Sequence, residues 1–591
     1  GSEMCIRDSS IIGAIGVVLG EDCMLEVSGA GVSAPRPLVN PGAPKEYIER
    51  IMSLGVIRVS VHTPIYTMHK FWARRPWRVF REIIARFTEP GDVILDPFAG
   101  GGVVLVEGLI LRRRVVAVDL SPLAVEIMRR EVEPLDLDLF RRALEKLSRR
   151  VEPEMRRLYA TTCPRCGSEA EIVWTEYESA SMKPVKILYE CPRCGRREAG
   201  GGEVKLPEKP SLPPFKRVRI PPGDKTRDLL RRGYRFFDEL FTERNLYAVL
   251  RLKEEIENMD VDPVVKSFLI FTLSSTLKWA SKMSHRRGDV IEGWAMHAYW
   301  VYPRFLEINV WRQFLNRANA VIRGKEYSAR YIGSYAVEAR SFEELLGGKA
   351  TYMVIQGDSR RLPLPDESVD AVITDPPYGG NVNYAELSDY FLWIFDKSSP
   401  KNEEIVVNET RGFDLEHYRR GLEEVFRECY RVLKPNGPLI FTFNSRDSRV
   451  VVSAIVAARD AGFQFVGVSE QPYLQAYETT FHALQVGAMT HDFIFFFCKN
   501  CVHGGGEAGL GAKSDINTIF IYKLNDCIKT QCTEREYRMS VYPELITYTI
   551  TASTKEAIIA ANTLERIIRD KQDYFSSVRK KLIERRTRKG M

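Results

Sequence analysis

The sequence predicts a doubly wound α/β domain that is interrupted by a long insertion. Three observations indicate this fold. A short apolar strand over 92–96 ends at a glycine turn over 97–102, where the chain reopens as a helix. A second strand over 114–119 is followed by Ser121 and Pro122, a cap and a first-turn proline typical of a helix start. The same alternation resumes near residue 353, and such an alternation is how doubly wound domains are built.

The remaining elements of the sheet domain follow from the spacing of apolar residues. Helical spacing runs from Phe71 to Phe87 and is stopped by Pro90 and Gly91. With the two strands above, the predicted domain has seven strands and carries helices on both faces. The downstream elements are strands over 353–356, 369–374, 438–443, 463–468 and 493–498 and helices over 415–432 and 450–461.

A chain of 591 residues predicts two or three domains. Its first ten residues resemble a cloning or adapter remnant, and a glycine run at 504–506 predicts a flexible joint. The predicted parts are an N-terminal extension (1–55), two halves of a catalytic domain (56–130 and 351–502), an insertion (131–350) and a C-terminal extension (503–591). The insertion is predicted to contain a ribbon (160–205) and a helical region (224–345) with helices over 224–259 and 263–283. The C-terminal extension is predicted to end in a basic helix (564–588).

Composition and charge limit the class of protein. Hydrophobic residues make up 45% and charged residues 28%, which is typical of a soluble globular protein. The net charge of +7 permits nucleic-acid binding without arguing for it. The apolar run over 11–19 is too short to span a bilayer and lacks a good cleavage site, so we expect a cytoplasmic protein with no membrane partner. The eleven cysteines predict no disulfide framework but one metal site in a reducing compartment.

The glycine turn and the strand ends beside it predict a cofactor site. Glycines at such a turn let the backbone approach a ligand closely. Asp119 ends the next strand at the same edge, where a carboxylate suits hydrogen bonds to both hydroxyls of a ribose, yet the spacing is not a dinucleotide fingerprint. The alternative interpretation of the glycine turn is a tight structural turn without a ligand. Asp358 is expected to bind the amino group of a cofactor adenine, and the alternative for this residue is a helix or turn cap. The predicted cofactor residues are Asp96, Pro97, Phe98, Gly100, Gly102, Asp119, Leu120, Asp358 and Ser359.

The catalytic motif is predicted at the end of the strand over 369–374, where the chain continues as Asp-Pro-Pro-Tyr. The exocyclic amino nitrogen of a base is a poor nucleophile because its lone pair is delocalised into the ring. The Asp375 carboxylate and the Pro376 carbonyl can accept its two N–H bonds, which favours a pyramidal nitrogen aimed at an electrophilic methyl group. Tyr378 offers a face on which an extruded base can stack. A proline-rich turn is the alternative. The predicted catalytic residues are Asp375, Pro376, Pro377 and Tyr378.

Two matched Cys-Pro-Arg-Cys-Gly knuckles predict a structural zinc site. Four thiolates complete a tetrahedral Zn²⁺ site and leave no open position for catalysis. Runs over 172–177 and 185–189 are read as the strands of a small ribbon. A redox dithiol is the alternative, and whether the ribbon touches DNA stays open. The predicted zinc ligands are Cys163, Cys166, Cys191 and Cys194.

On these motifs the sequence resembles the amino-methyltransferase branch of the DNA methylases, and more narrowly the prokaryotic adenine-specific DNA methylases that contain a zinc ribbon. The resemblance covers about residues 60–500, with weaker support from 69–76, 239–246 and 281–310. It implies a seven-stranded fold of the S-adenosylmethionine-dependent methyltransferases with S-adenosyl-L-methionine as cofactor. It also implies that Phe71 packs beside that cofactor; the alternative for Phe71 and its neighbours is a helix with a basic solvated face. Its motif order implies that the insertion carries target recognition.

We therefore predict a methyltransferase for double-stranded DNA, acting on adenine N6 before cytosine N4. An RNA guanine-N2 methyltransferase is a rival because the run from Leu362 to Gly379 resembles that group, but the long spacing of the motifs and the little that precedes the domain favour DNA. A nucleic-acid-binding subunit without turnover is the second rival, against which Asp375 and Tyr378 argue. The sequence does not identify defence or restriction partners.

Overall fold

The computed structural model describes residues 37–57, 62–288, 290–472, 491–501 and 515–589. Three sequence predictions lie outside the described residues: the adapter-like residues 1–10, the apolar run 11–19 and the joint at 504–506.

The strands form one large sheet, a smaller sheet and a hairpin. In chain order they are β1 (Leu38–Val39), β2 (Val93–Asp96), β3 (Arg114–Asp119), β4 (Ala160–Thr162), β5 (Glu169–Glu178), β6 (Pro184–Cys191), β7 (Gly195–Gly200), β8 (His285–Arg287), β9 (Val290–Glu292), β10 (Arg304–Ile308), β11 (Tyr352–Gln356), β12 (Ala371–Thr374), β13 (Pro438–Phe443), β14 (Gln464–Pro472) and β15 (His491–Cys498).

Seventeen α-helices occur in the described part of the chain. They are α1 (Lys45–Met52), α2 (Trp77–Phe87), α3 (Val103–Ile110), α4 (Pro122–Val132), α5 (Leu137–Tyr159), α6 (Arg227–Arg231), α7 (Glu243–Glu257), α8 (Pro263–Ala280), α9 (Val310–Tyr331), α10 (Phe342–Leu346), α11 (Tyr384–Leu392), α12 (Leu415–Val432), α13 (Ser448–Asp460), α14 (Ile516–Thr530), α15 (Glu534–Thr551), α16 (Thr554–Asp570) and α17 (Gln572–Lys589).

The large sheet has eight strands in the order β1-β14-β15-β13-β12-β2-β3-β11. The five strands from β13 to β11 are parallel, whereas β15, β14 and β1 pair antiparallel. The prediction of seven strands missed the two-residue edge strand β1, which is too short to show an apolar pattern. The chain order reverses between β2 and β12, and ligands of doubly wound sheets bind at such a switch point.

The large sheet separates two hydrophobic cores. Adjacent residues of β2 point to opposite faces, so that Ile94 contributes to one core and Leu95 to the other. The first core contains side chains of α2, α3 and α4 and continues into the inserted helices. The second contains α12, α13 and the C-terminal helices. The four-residue strands β2 and β12 are buried throughout, as expected for parallel strands covered on both faces.

The smaller sheet has five strands and draws on more of the insertion than the sequence predicted. Strands β10-β5-β6-β7 lie side by side and β4 pairs with β5. The strand β10, together with the β8-β9 hairpin, falls within the region predicted to be helical. Asn245 ties this region together, because its side-chain amide donates to the carbonyls of Ala280 and Ile308 at 2.9 and 3.1 Å.

Three predicted helices differ from the observed ones. The helix predicted from Phe71 starts only at Trp77, since Pro76 disfavours helical backbone in the residue before it. The helix predicted over 224–259 is divided by Gly233, whose φ of 95° is left-handed. The basic tail is two helices, α16 and α17, that meet at Lys571. By contrast, α8 begins as predicted at Asp262, whose carboxylate accepts from the amides of Val264 and Val265.

The C-terminal helices dock on α13 through a buried ion pair. Arg538 on α15 donates to both carboxylate oxygens of Glu565 on α16, at 2.7 and 3.0 Å. Glu565 in turn accepts from the amide and hydroxyl of Ser448 at the start of α13. Tyr542 donates to the carbonyls of Ser445 and Arg446, in the loop that follows β13. The C-terminal unit therefore braces a loop at the carboxyl edge of the large sheet.

Two local disulfides occur in the described residues, although the cysteine pattern predicted no disulfide framework. Cys498 pairs with Cys501 and Cys527 with Cys532, with Cα–Cα distances of 5.9 and 4.9 Å. Each pair closes a short loop, at the end of β15 and after α14, and such local proximity is invisible in a cysteine count. Within the described residues, no helix has the length and apolar character needed to cross a membrane.

Candidate active site

A cleft opens at the carboxyl edge of the large sheet, beside the point where its strand order reverses. It encloses about 1030 Å³, including space open to solvent. Residues from both predicted half-sites form its wall, although more than 230 residues separate Leu120 from Asp358 in the chain. The predicted residues that line it are Phe71, Asp96, Pro97, Phe98, Gly100, Asp119, Leu120, Asp358, Ser359, Asp375 and Pro377.

The glycine turn is held against the end of β3. The Gly100 amide donates to Asp119 Oδ2 at 2.8 Å, and the Ser121 amide donates to Asp119 Oδ1 at the same distance. Gly100 and Gly102 have φ values of 49° and 76°, the left-handed backbone that glycine adopts without strain. A Cβ on Gly100 would lie 3.0 Å from the Phe71 ring. Gly102 itself does not line the cleft: it caps α3, packed on Met128.

Two carboxylates beside this turn have raised pKa values. Burial raises the pKa of Asp96 to about 7, although Thr374 Oγ1 donates to its Oδ1 at 2.6 Å and the Phe98 amide at 3.2 Å. Burial likewise raises the pKa of Asp119 to about 6 against the two amides that donate to it. Each oxygen of Asp119 retains one acceptor position beyond its backbone partner. The site can therefore accept hydrogen bonds from a ligand with paired hydroxyls.

Phe71 and Arg74 come to the turn from the segment before α2. The Phe71 ring stacks on Tyr384, with centroids 5.5 Å apart. Arg74 lies under Gly101 and pairs with the fully buried Glu131, with Nη1 2.5 Å from Oε1. Arg74 Nη2 and Glu131 Oε2 have no hydrogen-bond partner within the described part of the chain. Burial raises the pKa of Glu131 to about 7 despite the arginine.

Asp358 lies on the cleft wall, but its carboxylate faces Arg360. The Arg360 guanidinium contacts both oxygens at 2.7–3.0 Å and the Arg360 amide donates to Oδ1 at 3.0 Å. This is the geometry of the turn-cap alternative, and the arginine lowers the pKa of Asp358. Ser359 is turned inward, where its hydroxyl donates to the Pro97 carbonyl at 2.6 Å. Ser359 thus fixes the glycine turn from the end of β11, two strands away from β2.

Asp375 is held by three donors at the end of β12. Its Oδ1 accepts from the hydroxyls of Tyr378 and Thr442, and its Oδ2 accepts from Arg75 Nε at 3.0 Å. Burial raises the pKa of Asp375, and the Arg75 charge is the main opposing influence. The carboxylate is thereby fixed in rotation while it still lines the cleft.

The rest of the motif is also fixed by neighbours. Tyr418 donates to the Pro377 carbonyl at 2.6 Å, which anchors the chain just after the buried Pro376. The Tyr378 ring lies between Phe443, with centroids 4.6 Å apart, and the Arg75 guanidinium, 4.5 Å from the ring centroid. A face predicted for base stacking therefore carries Arg75 in this structure.

Sequence reasoning missed several residues of the site. Arg74 and Arg75 lie in a segment noted for its resemblance, but only Phe71 was singled out there. Tyr384 begins α11 and has no motif to mark it. Thr442 lies on a strand far along the chain, and a loop over 399–406 closes one wall of the cleft. The available signal for the two arginines was the segment 69–76 itself, which supported the resemblance.

The four predicted zinc ligands come together in the smaller sheet. The Sγ atoms of Cys163, Cys166, Cys191 and Cys194 all lie within 4.8 Å of one another. The glycine after each knuckle, Gly167 and Gly195, has the same φ of 71°, so the two loops curl alike. Four thiolates at this spacing fit a tetrahedral metal site, and their chemistry fits structural zinc.

Comparisons with known proteins agree with this geometry. Residues 53–130 match the N6/N4 methyltransferase family, described as DNA methylase. The Type II methyltransferase M.MjaII of Methanocaldococcus jannaschii is 19% identical over 424 residues, which are 65% of this chain and 72% of that protein.

The similar solved structures are all distant. TTHA0409 of Thermus thermophilus, named as a candidate DNA modification methylase and solved with S-adenosyl-L-methionine, is 18% identical. That match covers 28% of this chain and 62% of that one, with a TM-score of 0.16. The rRNA methyltransferase aviRa of Streptomyces viridochromogenes is 11% identical over 75% of this chain and 92% of that one, with a TM-score of 0.24. TM-scores this low establish no common architecture. Over residues 53–130 this chain is similar to the DNA methylase family, and over a larger part of its length it is distantly similar to a Type II methyltransferase.

Proposed function

We propose that this protein transfers the methyl group of S-adenosyl-L-methionine to an exocyclic amino nitrogen of a base in double-stranded DNA, adenine N6 before cytosine N4. The observation that carries the proposal is the single cleft in which the glycine turn, Asp119 and Asp375 meet. A purely structural protein has no need for a cofactor-binding turn and an amino-activating carboxylate in the same cleft. The sheet, without its edge strand, supports the seven-stranded methyltransferase fold.

The residues beside the turn fit the cofactor. Asp119 would hold the ribose hydroxyls, and the backbone at Gly100 leaves room that a Cβ would fill. Arg74 Nη2, buried and unpartnered within the described residues, would meet the carboxylate of the methionine part. Phe71 would pack beside the cofactor. Asp358 would accept a hydrogen bond from the adenine amino group of the cofactor while it keeps part of its contact with Arg360. The bound cofactor supplies an electrophilic methyl group on a sulfonium centre.

The chain's own catalytic residues act on the target base. Asp375 and the Pro376 carbonyl would accept hydrogen bonds from the two amino N–H groups, which directs the nitrogen lone pair at the methyl group; the nitrogen releases one proton when the N–C bond forms. Tyr378 orients the Asp375 carboxylate through its hydroxyl. The extruded base would stack over this ring on the Arg75 guanidinium that covers it. No cysteine lines the cleft among the described residues, which supports transfer to an amino group over transfer to a ring carbon. The preference for adenine rests on Asp at the first motif position, since a carboxylate can accept from either amino group.

The insertion is the proposed target-recognition region. It touches the segment that follows the catalytic motif: Lys225 Nζ donates to the Gly380 carbonyl at 2.7 Å, and Tyr299 donates to the Glu386 carbonyl at 2.7 Å. A sequence-reading unit in contact with this segment can couple DNA binding to the arrangement of the site. The relative M.MjaII is a Type II methyltransferase, which supports a role beside a restriction enzyme. The smaller sheet would carry structural zinc as a zinc ribbon.

The test is methyl transfer with labelled cofactor to duplex DNA, single-stranded DNA and tRNA, followed by nucleoside mass spectrometry. We expect N6-methyladenine in duplex DNA. We also expect Asp375→Ala to abolish transfer while the cofactor Kd stays within about twofold of wild type, because Asp375 contacts the target and not the methionine. The matched control is Asp370→Ala, at the opposite end of the same strand, where the carboxylate accepts from the Val93 amide.

The outcomes separate the rival functions. N4-methylcytosine would keep the mechanism and change the base. Methylation of tRNA guanine alone would replace DNA by RNA as the substrate. Cofactor binding without transfer to any nucleic acid would leave a subunit without turnover, and an Asp375→Ala protein with wild-type transfer would overturn the catalytic assignment.

A further inference from the structure

Arg75 links a half-buried carboxylate, Asp375, to a buried one, Asp492, at the carboxyl edge of the large sheet. Its Nε donates to Asp375 Oδ2 at 3.0 Å, and its Nη1 donates to both oxygens of Asp492 at 3.2 and 3.3 Å. Asp492 lies on β15, two strands away from β12. The Arg75 side chain is 13% exposed and the Asp492 side chain 7%. An arginine this enclosed, between carboxylates of two different strands, has few other positions available to it.

We propose that Arg75 is a positioning residue for methyl transfer, held in place by Asp492, which fixes the rotation of the Asp375 carboxylate and compensates its charge. The proposal rests on the proposed function and deepens it. Arg75 and Asp492 have no assigned role in the motifs described above.

Counting acceptor positions on Asp375 shows what this arrangement leaves for a substrate. A carboxylate oxygen accepts about two hydrogen bonds. Oδ1 already accepts two, from the hydroxyls of Tyr378 and Thr442. Among the described residues Oδ2 accepts one, from Arg75, and so retains one position. Because the donors on Oδ1 and Oδ2 differ, the carboxylate has one preferred rotation, and a target N–H would meet Oδ2.

Charge gives Arg75 a second effect. Burial alone would favour the protonated acid, and a protonated Asp375 is a poorer acceptor for an amino group. Among the described residues, Arg75 is the cation that pairs with Asp375. The other titratable groups near Asp375 in this part of the chain are Tyr378, Tyr384, Tyr418 and Asp96, with Asp492 paired to the same arginine, and none of these is a cation. Without Arg75, Asp375 would therefore take up a proton at a higher pH.

The experiment compares Arg75→Gln, Arg75→Lys and Asp492→Asn in the full-length protein, with kcat, DNA KM and cofactor Kd measured across pH. We expect Arg75→Gln to lower kcat by about tenfold or more and to move the acid limb of kcat to higher pH. Cofactor Kd should stay within about twofold of wild type, which also shows that the variant is folded. Arg75→Lys keeps the charge but cannot bridge both carboxylates, so its kcat should fall while its acid limb moves less.

Asp492→Asn should show the same loss in weaker form, because Arg75 keeps its charge but loses its anchor. The matched control is Arg86→Gln, which removes an arginine of α2 that pairs with Glu82 away from the cleft, and it should change neither kcat nor its pH profile. Addition of guanidinium ion to Arg75→Ala should partly restore kcat if the cation itself is what Asp375 needs.

Three results would overturn the proposal. Unchanged kcat and an unchanged acid limb in Arg75→Gln would remove Arg75 from the mechanism. Equal losses of cofactor affinity and kcat would make it a structural tie between strands. A variant that binds DNA more tightly and turns over at least as fast would mean that Arg75 merely blocks the place of the base over Tyr378. Absence of methyl transfer in the wild-type protein would instead refute the proposed function.

Discussion

Replacing Asp119 tests the cofactor half of the site most directly. Its two oxygens accept from the amides of Gly100 and Ser121, each at 2.8 Å, and the proposed cofactor adds two hydroxyl donors. Asp119→Ala leaves these donors without their acceptor. A buried donor left unpaired costs about 1–3 kcal/mol. We expect the cofactor affinity to fall by an amount in this range, which corresponds to a Kd increase of about 5- to 150-fold.

Calorimetry with S-adenosyl-L-methionine measures this directly, at a temperature where the variant is shown to be folded. Asp119→Asn keeps one carbonyl oxygen and should lie between wild type and alanine. Asp370→Ala serves as the control, because Asp370 also accepts from a backbone amide but at the amino edge of the sheet, with Val93 N 2.8 Å from its Oδ2. A folded Asp119→Ala protein whose Kd equals that of wild type would remove Asp119 from the cofactor site.

Two further predictions concern the metal and the catalytic tyrosine. Elemental analysis should find one zinc ion per chain. The Cys163→Ser variant should lose this zinc, and its smaller sheet should exchange amide hydrogens faster, because structural zinc contributes directly to folding. Protein that contains no zinc after purification without chelator would refute this prediction. Tyr378→Ala should weaken binding of the extruded base by about 1–3 kcal/mol, the range for base–aromatic stacking. Tyr378→Phe keeps the ring but loses the hydroxyl that orients Asp375, so we expect its loss to appear in kcat, and a kcat equal to wild type would contradict that role.

The parallel half of the fold could be predicted because its strands are buried on both faces. Strands such as β3 and β13 show as mostly apolar runs, and their predicted bounds match the observed ones. The helix α12 was predicted at its observed bounds because a Lys-Pro pair stops its apolar spacing; the structure adds Asp414 as its cap, since its carboxylate accepts from the His417 amide. Local signals of this kind need no knowledge of the tertiary structure.

The residues that sequence missed depend on long-range contact. Thr442 reaches Asp375 only because β12 and β13 pair in parallel with Thr374 beside Phe441. Arg75 and Asp492 are separated by more than 400 residues, and nothing in either neighbourhood marks the pair. The strand β10 joins the smaller sheet from beyond a long helical stretch, so its five residues gave no local reason to be assigned there. Pairings of this kind are set by topology, which apolar periodicity does not encode.

Asp96 tests whether a buried carboxylate of the site lowers the free energy of unfolding of the protein. Its pKa in the folded protein is about 7, against an ordinary value of 3.8. The folded state therefore binds this proton more tightly than the unfolded state. The contribution of Asp96 to the free energy of unfolding is accordingly largest at low pH, and it declines as pH rises through 3.8 towards 7. A rise of this size corresponds to about 4 kcal/mol as an upper limit.

Asp96→Asn should therefore stabilise the protein more at about pH 8 than at about pH 5, because the unfavourable effect of the raised pKa begins above 3.8 and is complete only above 7. The amide oxygen can still accept from Thr374 and Phe98, but the buried amide nitrogen lacks an acceptor there, which offsets about 1–3 kcal/mol of the gain. Urea unfolding at both pH values measures the difference in the free energy of unfolding between variant and wild type. The contributions of Asp119 and Glu131, whose pKa values are also raised, are common to both proteins and cancel in this difference. An equal difference at the two pH values would refute the assignment of a raised pKa to Asp96. Stabilisation at high pH with weaker cofactor binding would show that this buried charge is retained for function at the expense of stability.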